Sequence, residues 1–112
     1  MQFMLMVLNK TEVLDTLLEE LMKRGICGAT ILNSTGMMRE IAKNSEDFPI
    51  FGMLRSLVNL ERKESKTIFM VLSDDKVAEA KEVVYQVVGD LSQPDSAVLF
   101  TLPVLSAEGV DM

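Results

Sequence analysis

The sequence predicts an α+β domain in which two strand–helix–strand units follow one another along the chain. Short apolar runs have the length of buried strands, and stretches with apolar residues every three or four positions have helical spacing. The two units are separated by a long connection, residues 34–66. A chain of 112 residues can bury about two-thirds of its unfolded surface, so we expect one domain over 1–112.

The first unit begins with an apolar strand at residues 3–8. Thr11 is placed to cap a following helix, and Gly25 is placed to end it. A second strand is predicted at about 29–33. The apolar face of the helix is formed by Val13, Leu14, Leu17, Leu18, Leu21 and Met22.

The second unit begins with a β-rich run at residues 67–72. Ser73 can cap the next helix, where Asp74 and Asp75 would face the positive end of the helix dipole. Gly89 ends this helix, and a last strand is predicted at 97–102, followed by a flexible tail, 106–112. The core face of the helix is formed by Val77, Ala80, Val84 and Val87.

The order β-α-β-β-α-β with right-handed crossovers predicts a ferredoxin-like sandwich, with the first and third strands in the centre of the sheet. Both helices then cover one face. A strand with one wet face should alternate apolar and polar residues, but the runs at 3–8 and 67–72 are apolar on both faces. Either the long connection folds back over the open face, or the protein oligomerises through it.

Composition excludes several classes of function. The net charge of −6 gives no general source of phosphate neutralisation, so nucleic-acid binding is not expected. The chain has no histidine, which removes the commonest general base and metal ligand, so we expect no metal site. The single cysteine, Cys27, and the absence of a signal-peptide pattern are typical of a cytoplasmic protein.

The long connection is unusually apolar, and a connection of this length is usually functional or disordered. On a helical wheel, residues 49–60 have a wide apolar arc beside a narrow polar stripe. This arc can pack on its own oligomer, dock into a groove of a partner protein, or contact a membrane. The membrane is the weakest alternative, since the stripe carries one cation. The candidate partner-binding residues are Met37, Met38, Phe48, Phe51, Leu54, Arg55 and Val58.

Three segments, KRGICGATILNSTGMMRE at 23–40, SDDKVAEAKEVV at 73–84 and VLFTLPV at 98–104, resemble the PII-like signal transduction superfamily. That superfamily includes the nitrogen regulatory PII proteins and the cyclic-di-AMP-binding PII-like proteins. The resemblance implies a ferredoxin-like homotrimer with small-molecule effector sites in the clefts between subunits. It also implies that the long connection changes shape with ligand and docks onto a partner, such as a transporter or an enzyme.

The resemblance also implies positions for the ligand. Gly28 and Thr30 match the start of the second strand, Gly36 matches the glycine that opens the loop, and Arg39 matches a basic residue that reaches nucleotide phosphates. The residues themselves add Ser34 and Thr35, whose hydroxyls and amides suit a small anion, although the same Ser-Thr-Gly sequence is also typical of a turn that ends a strand.

The chain departs from the family at residues 89–96. Nucleotide-binding PII proteins have a basic, glycine-rich turn there, whereas this chain has Asp90, Asp95 and no cation. A polyphosphate beside these carboxylates would meet like charge, so the ligand is left open. The alternative is a CutA-like or ACT-like oligomeric binding module with no nucleotide ligand. An enzyme is not expected, because only Arg39 offers a catalytic type of side chain for a cleft.

Overall fold

The computed structural model describes residues 1–43 and 64–110, which contain a four-stranded antiparallel sheet and three α-helices. The strands are β1 (Gln2–Leu8), β2 (Thr30–Ser34), β3 (Ser65–Leu72) and β4 (Ala97–Pro103). The helices are α1 (Leu14–Lys23), α2 (Met37–Lys43) and α3 (Asp74–Val87), and a 3-10 turn, Thr11–Val13, precedes α1.

The strand order is β2-β3-β1-β4, so the first and third strands are central, as predicted. Leu5 of β1 lies opposite Phe69 of β3 on one side and Phe100 of β4 on the other. The predicted α+β class is confirmed, and this topology is compatible with a ferredoxin-like fold.

One face of the sheet and the two long helices enclose the core. Side chains alternate across a strand, and in β1 and β3 every second residue is buried on the helix side. From α1, Leu17 and Leu21 complete this layer. The buried residues of the two central strands are Met4, Met6, Leu8, Ile68, Met70 and Leu72, and those of and next to α3 are Val77, Ala80, Val83, Val84 and Val88.

The helix faces differ in detail from the predicted ones. Met22 is 59% exposed, because it lies a third of a turn from Leu21 and falls beyond the edge of the buried stripe. In α3, Val83 is buried and Val87 only partly so. The apolar spacing therefore located the helices correctly and the limits of their buried faces less well.

The carboxyl ends of α1 and α3 lie at the glycines that the sequence predicts, Gly25 and Gly89. The Gly25 amide donates to the Met22 carbonyl (2.9 Å) and the Ile26 amide to the Leu21 carbonyl (3.0 Å). These two bonds form a Schellman motif, which requires the left-handed backbone that Gly25 adopts, with φ +77°. Gly89 ends α3 with φ +95°.

The predicted caps at the amino termini are not formed by side chains. Thr11 lies within the 3-10 turn, Val13 holds the N-cap position of α1, and neither helical segment has a side-chain capping bond. The turn before α1 is instead fixed by the rest of the fold, because the Asn9 and Lys10 amides both donate to the Ser96 carbonyl (2.9 and 3.0 Å). Ser73 does hold the N-cap position of α3, with extended backbone and without a capping bond from its side chain.

We expect Gly25→Ala to destabilise the protein by about 1–2 kcal/mol, the cost of a left-handed backbone for a residue with a Cβ. A Cβ at this position would lie 3.6 Å from the Lys76 Nζ atom, which is an ordinary contact, so the cost comes from the backbone. Urea denaturation measures the loss. Gly28→Ala is the control, since a Cβ there meets nothing within 4 Å; equal losses in the two variants would contradict the assignment of strain to Gly25.

The connection between β2 and β3 is shorter at both ends than predicted. The strands extend into it as far as Ser34 and Ser65, which lie opposite each other in the sheet, and α2 forms part of it. Five of the predicted partner-binding residues lie outside the described residues: Phe48, Phe51, Leu54, Arg55 and Val58.

Within 1–43 and 64–110, no helix is long and apolar enough to cross a membrane.

Candidate functional site

The face of the sheet that points away from α1 and α3 is apolar along β1 and β4 and mixed along β2 and β3, and we call it the open face. Its side chains follow from the alternation along each strand and the register between strands. In the order β2, β3, β1 and β4 they are Thr30, Leu32, Ser34, Ser65, Thr67, Phe69, Val71, Phe3, Leu5, Val7, Val98, Phe100 and Leu102.

The open face is most exposed along its two edge strands, β2 and β4. Phe3 and Phe69 shield each other in the centre, with ring centroids 5.6 Å apart, and the apolar residues of β1 and β3 are half-buried. Val98, Phe100 and Leu102 are about half exposed, as is Leu32 on the other edge strand. A contiguous apolar surface of this kind marks an interaction site more often than a solvated surface.

A cleft of about 460 Å³ lies at one end of the sheet, between β3 and the segment 25–28, and we call it the β2–β3 cleft. It forms because β2 begins at Thr30, opposite Phe69. The last three residues of β3, 70–72, therefore have no β2 residue beside them. Gly28 and Thr30, two of the predicted ligand-binding residues, line this cleft together with Cys27.

The charged groups at the cleft are already paired. Lys76 lines it and donates from Nζ to the Arg24 carbonyl (2.7 Å), and it also forms an ion pair with Glu79 (2.9 Å). At the start of α3, hydrogen bonds from the Gln2 amide and the Met1 ammonium, together with the ammonium charge, lower the pKa of Asp74. The Ser73 hydroxyl lowers the pKa of Asp75. These carboxylates have the structural role that their place at a helix start predicts.

The other predicted ligand-binding residues lie at the opposite end of β2. The Ser34 hydroxyl is 2.8 Å from the Ser65 hydroxyl and accepts a hydrogen bond from Thr67 (2.8 Å). Gly36 precedes α2, and its carbonyl accepts a hydrogen bond from the Glu40 amide (3.0 Å). Arg39, on α2, has a buried Nε atom with no hydrogen-bond partner in the part of the chain that the structure describes.

The structure thus divides the six predicted residues between two places. A strand advances about 3.3 Å per residue, so the Cα atoms of Thr30 and Ser34 are about 13 Å apart. Gly28 and Thr30 lie at one end of β2, and Ser34, Thr35, Gly36 and Arg39 lie at or beyond the other. A single chain does not bring them around one small ligand.

The turn before β4, residues 90–96, is held by hydrogen bonds within itself. The Asp90 carboxylate accepts hydrogen bonds from the Ser92 hydroxyl (2.7 Å) and the Ser92 amide (2.9 Å). These bonds lower the pKa of Asp90. The Ser96 hydroxyl donates to the Gln93 carbonyl (2.8 Å). The turn therefore directs these amide and hydroxyl donors to its own acceptors.

No group of three or more potential metal ligands occurs among the residues that the structure describes.

Sequence reasoning missed several residues of the β2–β3 cleft. Ser73, Lys76 and Val110 line it, but they come from the start of α3 and from the tail, and no local pattern links them to Gly28. Met37 and Met38, predicted to bind a partner, lie on α2 and are exposed, Met37 to 76%.

No protein-family model matches this chain, and no curated protein matches its sequence.

Proposed function

We propose that this protein is a PII-like regulatory protein, a cytoplasmic homotrimer that binds a small effector between subunits and signals to a partner protein. The observation that carries the proposal is the open face. An apolar surface along the central strands and β4, with Phe100 and Leu102 about half exposed on that edge strand, is stabilised when a second copy of the chain covers it.

The division of the ligand-binding residues supports a site between subunits. Gly28 and Thr30 at one end of β2 can share a ligand with Arg39 at the other end only if the two ends belong to different chains. The unpartnered Nε of Arg39 would donate a hydrogen bond to an anionic ligand. The effector would then stabilise the assembled state, since its site is incomplete in a single chain.

The connection between β2 and β3 would carry the signal. Met37 and Met38 project apolar, flexible side chains at its start, a chemistry that suits an apolar groove on a transporter or an enzyme. Because Arg39 lies on the same short helix, α2, a ligand that engages it would reorient this surface directly.

A second candidate function is a CutA-like or ACT-like oligomeric binding module with no nucleotide ligand. The acidic turn at 90–96 favours it, since Asp90 and Asp95 add negative charge where a phosphate-binding turn would need positive charge. The two candidates share the oligomer and differ in the ligand.

The experiment is a thermal-shift panel of adenine nucleotides, cyclic dinucleotides, 2-oxoglutarate and amino acids, run alongside light scattering. A ligand at 100 times its dissociation constant stabilises the folded state by about 2.7 kcal/mol, which raises the melting temperature measurably. We expect a shift with an anionic ligand, and we expect Arg39→Ala to abolish it.

The matched control is Lys23→Ala, which removes one positive charge from an exposed position that forms ion pairs with Glu19 and Glu20. It should retain the full shift. A shift that survives in Arg39→Ala would contradict the proposed site. A shift with amino acids alone would favour the second candidate.

A further inference from the structure

The chain beyond β4 crosses the end of the sheet. Pro103 ends β4 at one edge, and the Val104 amide donates to the Met1 carbonyl (3.2 Å), beside the start of β1. Gly109 and Val110 then line the β2–β3 cleft at the other edge. We call residues 104–110 the C-terminal strap, since they run from one edge strand past both central strands to the other.

Val110, at the far end of the strap, is less exposed than Leu105 near its start. Leu105 is fully exposed, whereas Val110 is 41% exposed although it belongs to no helix or strand. Gly109, just before it, adopts φ +77°, a left-handed turn that an L-residue with a side chain rarely makes. The turn at Gly109 directs Val110 to the cleft, whose walls include Phe3, Phe69 and Val71.

The strap is held weakly. Among the described residues, the bond from Val104 to Met1 is the one backbone hydrogen bond that fastens it, and every residue from Leu105 to Val110 is exposed. Segments with few buried contacts open at low free-energy cost. The strap therefore has a closed position at the cleft and is easily released from it.

We propose that the C-terminal strap is a releasable lid on the β2–β3 cleft of its own chain, with Val110 as the apolar contact that closes it. Release uncovers the apolar wall and the edge of β3 at residues 70–72, which has no β2 partner. This inference concerns access to the cleft and does not depend on the ligand proposed above, so each can fail without the other.

The first test locates the strap by cross-linking. Cys27 is the single cysteine of the chain and lines the cleft, so Val110→Cys introduces one partner for it. A short bismaleimide should join the two within one chain, giving a product that keeps the monomer mass under denaturing conditions. Leu105→Cys, at the fully exposed position of the same strap, should give much less of this product. Equal yields for the two variants, or a product of dimer mass from Val110→Cys, would overturn the proposal.

The second test measures whether the strap covers the cleft. Val110→Asp places a charge against the apolar wall and should release the strap, raising hydrogen exchange several-fold at residues 26–30 and 70–72. Leu105→Asp adds the same charge where nothing contacts it and should leave exchange at those residues unchanged. Unchanged exchange in Val110→Asp would overturn the lid, whereas increased exchange throughout α1 and β1 would show general unfolding and would equally refute a local release.

Discussion

Phe100→Asp is expected to convert the assembled protein into a monomer. Phe100 lies in the middle of the β4 row of the open face, opposite Leu5, and is 53% exposed. If a second copy covers this row, the new carboxylate is buried without a partner, which costs several kcal/mol per interface. If water covers it, the substitution has little effect, because surface changes usually stay within about 0.5 kcal/mol.

Light scattering coupled to size-exclusion chromatography gives the mass of the wild type and the variant directly. Met22→Asp is the matched control: Met22 has a similar exposure, 59%, but lies on α1, in the layer opposite the open face. It should keep the mass of the wild type. A wild type that is monodisperse and monomeric, or a Phe100→Asp variant of unchanged mass, would contradict assembly through the sheet.

Leu17→Ala is expected to lower the free energy of unfolding by about 2–5 kcal/mol, the range for removing a fully buried leucine side chain. Leu17 is completely buried, and it belongs to the single cluster that joins α1, α3 and the helix side of β1 and β3. An ion pair between Arg24, the C-cap residue of α1, and Glu82 of α3 (3.1 Å) also joins the ends of these two elements.

Urea denaturation at one fixed protein concentration measures this loss, since the stability of an oligomer depends on concentration. Met22→Ala serves as control on the same helix and should change stability by no more than about 0.5 kcal/mol. A loss below about 1 kcal/mol for Leu17→Ala would mean that the site collapses or that α1 packs less tightly than the structure shows.

The two substitutions act on opposite faces of one sheet. Leu17→Ala should weaken the fold of each chain, and Phe100→Asp should separate chains that remain folded. This separation matters for the proposed regulatory function, because a site shared between subunits loses its ligand on dissociation even when every subunit is intact.

Much of the fold follows from local pattern. The period of the apolar residues locates four strands and both long helices, and Gly25 and Gly89 mark helix ends because only glycine adopts the required φ without strain. The predictions that were wrong also have a physical cause. Thr11 does not cap α1 because the amides that its side chain would bond already donate within the 3-10 turn, Val13 to the Lys10 carbonyl (3.2 Å) and Leu14 to the Thr11 carbonyl.

The candidate site was less accessible to sequence reasoning. Gly28 and Arg39 are eleven positions apart, and the pattern alone does not tell whether a strand separates them or a turn brings them together. The structure places a full strand, β2, between them, and so turns one predicted site into two halves. Lys76 and Val110 reach the β2–β3 cleft only through tertiary contacts.

From its residue order alone, the chain determines an acidic α+β domain with apolar residues on both sides of its inner strands, because hydrophobic period and charge are properties of neighbouring residues. Only the tertiary structure decided which of those sides meets the helices, that β2 and β4 are the exposed edges of the other side, and that residues 104–110 cross the sheet. These depend on strand register and on contacts between residues far apart in the chain, which local pattern does not encode.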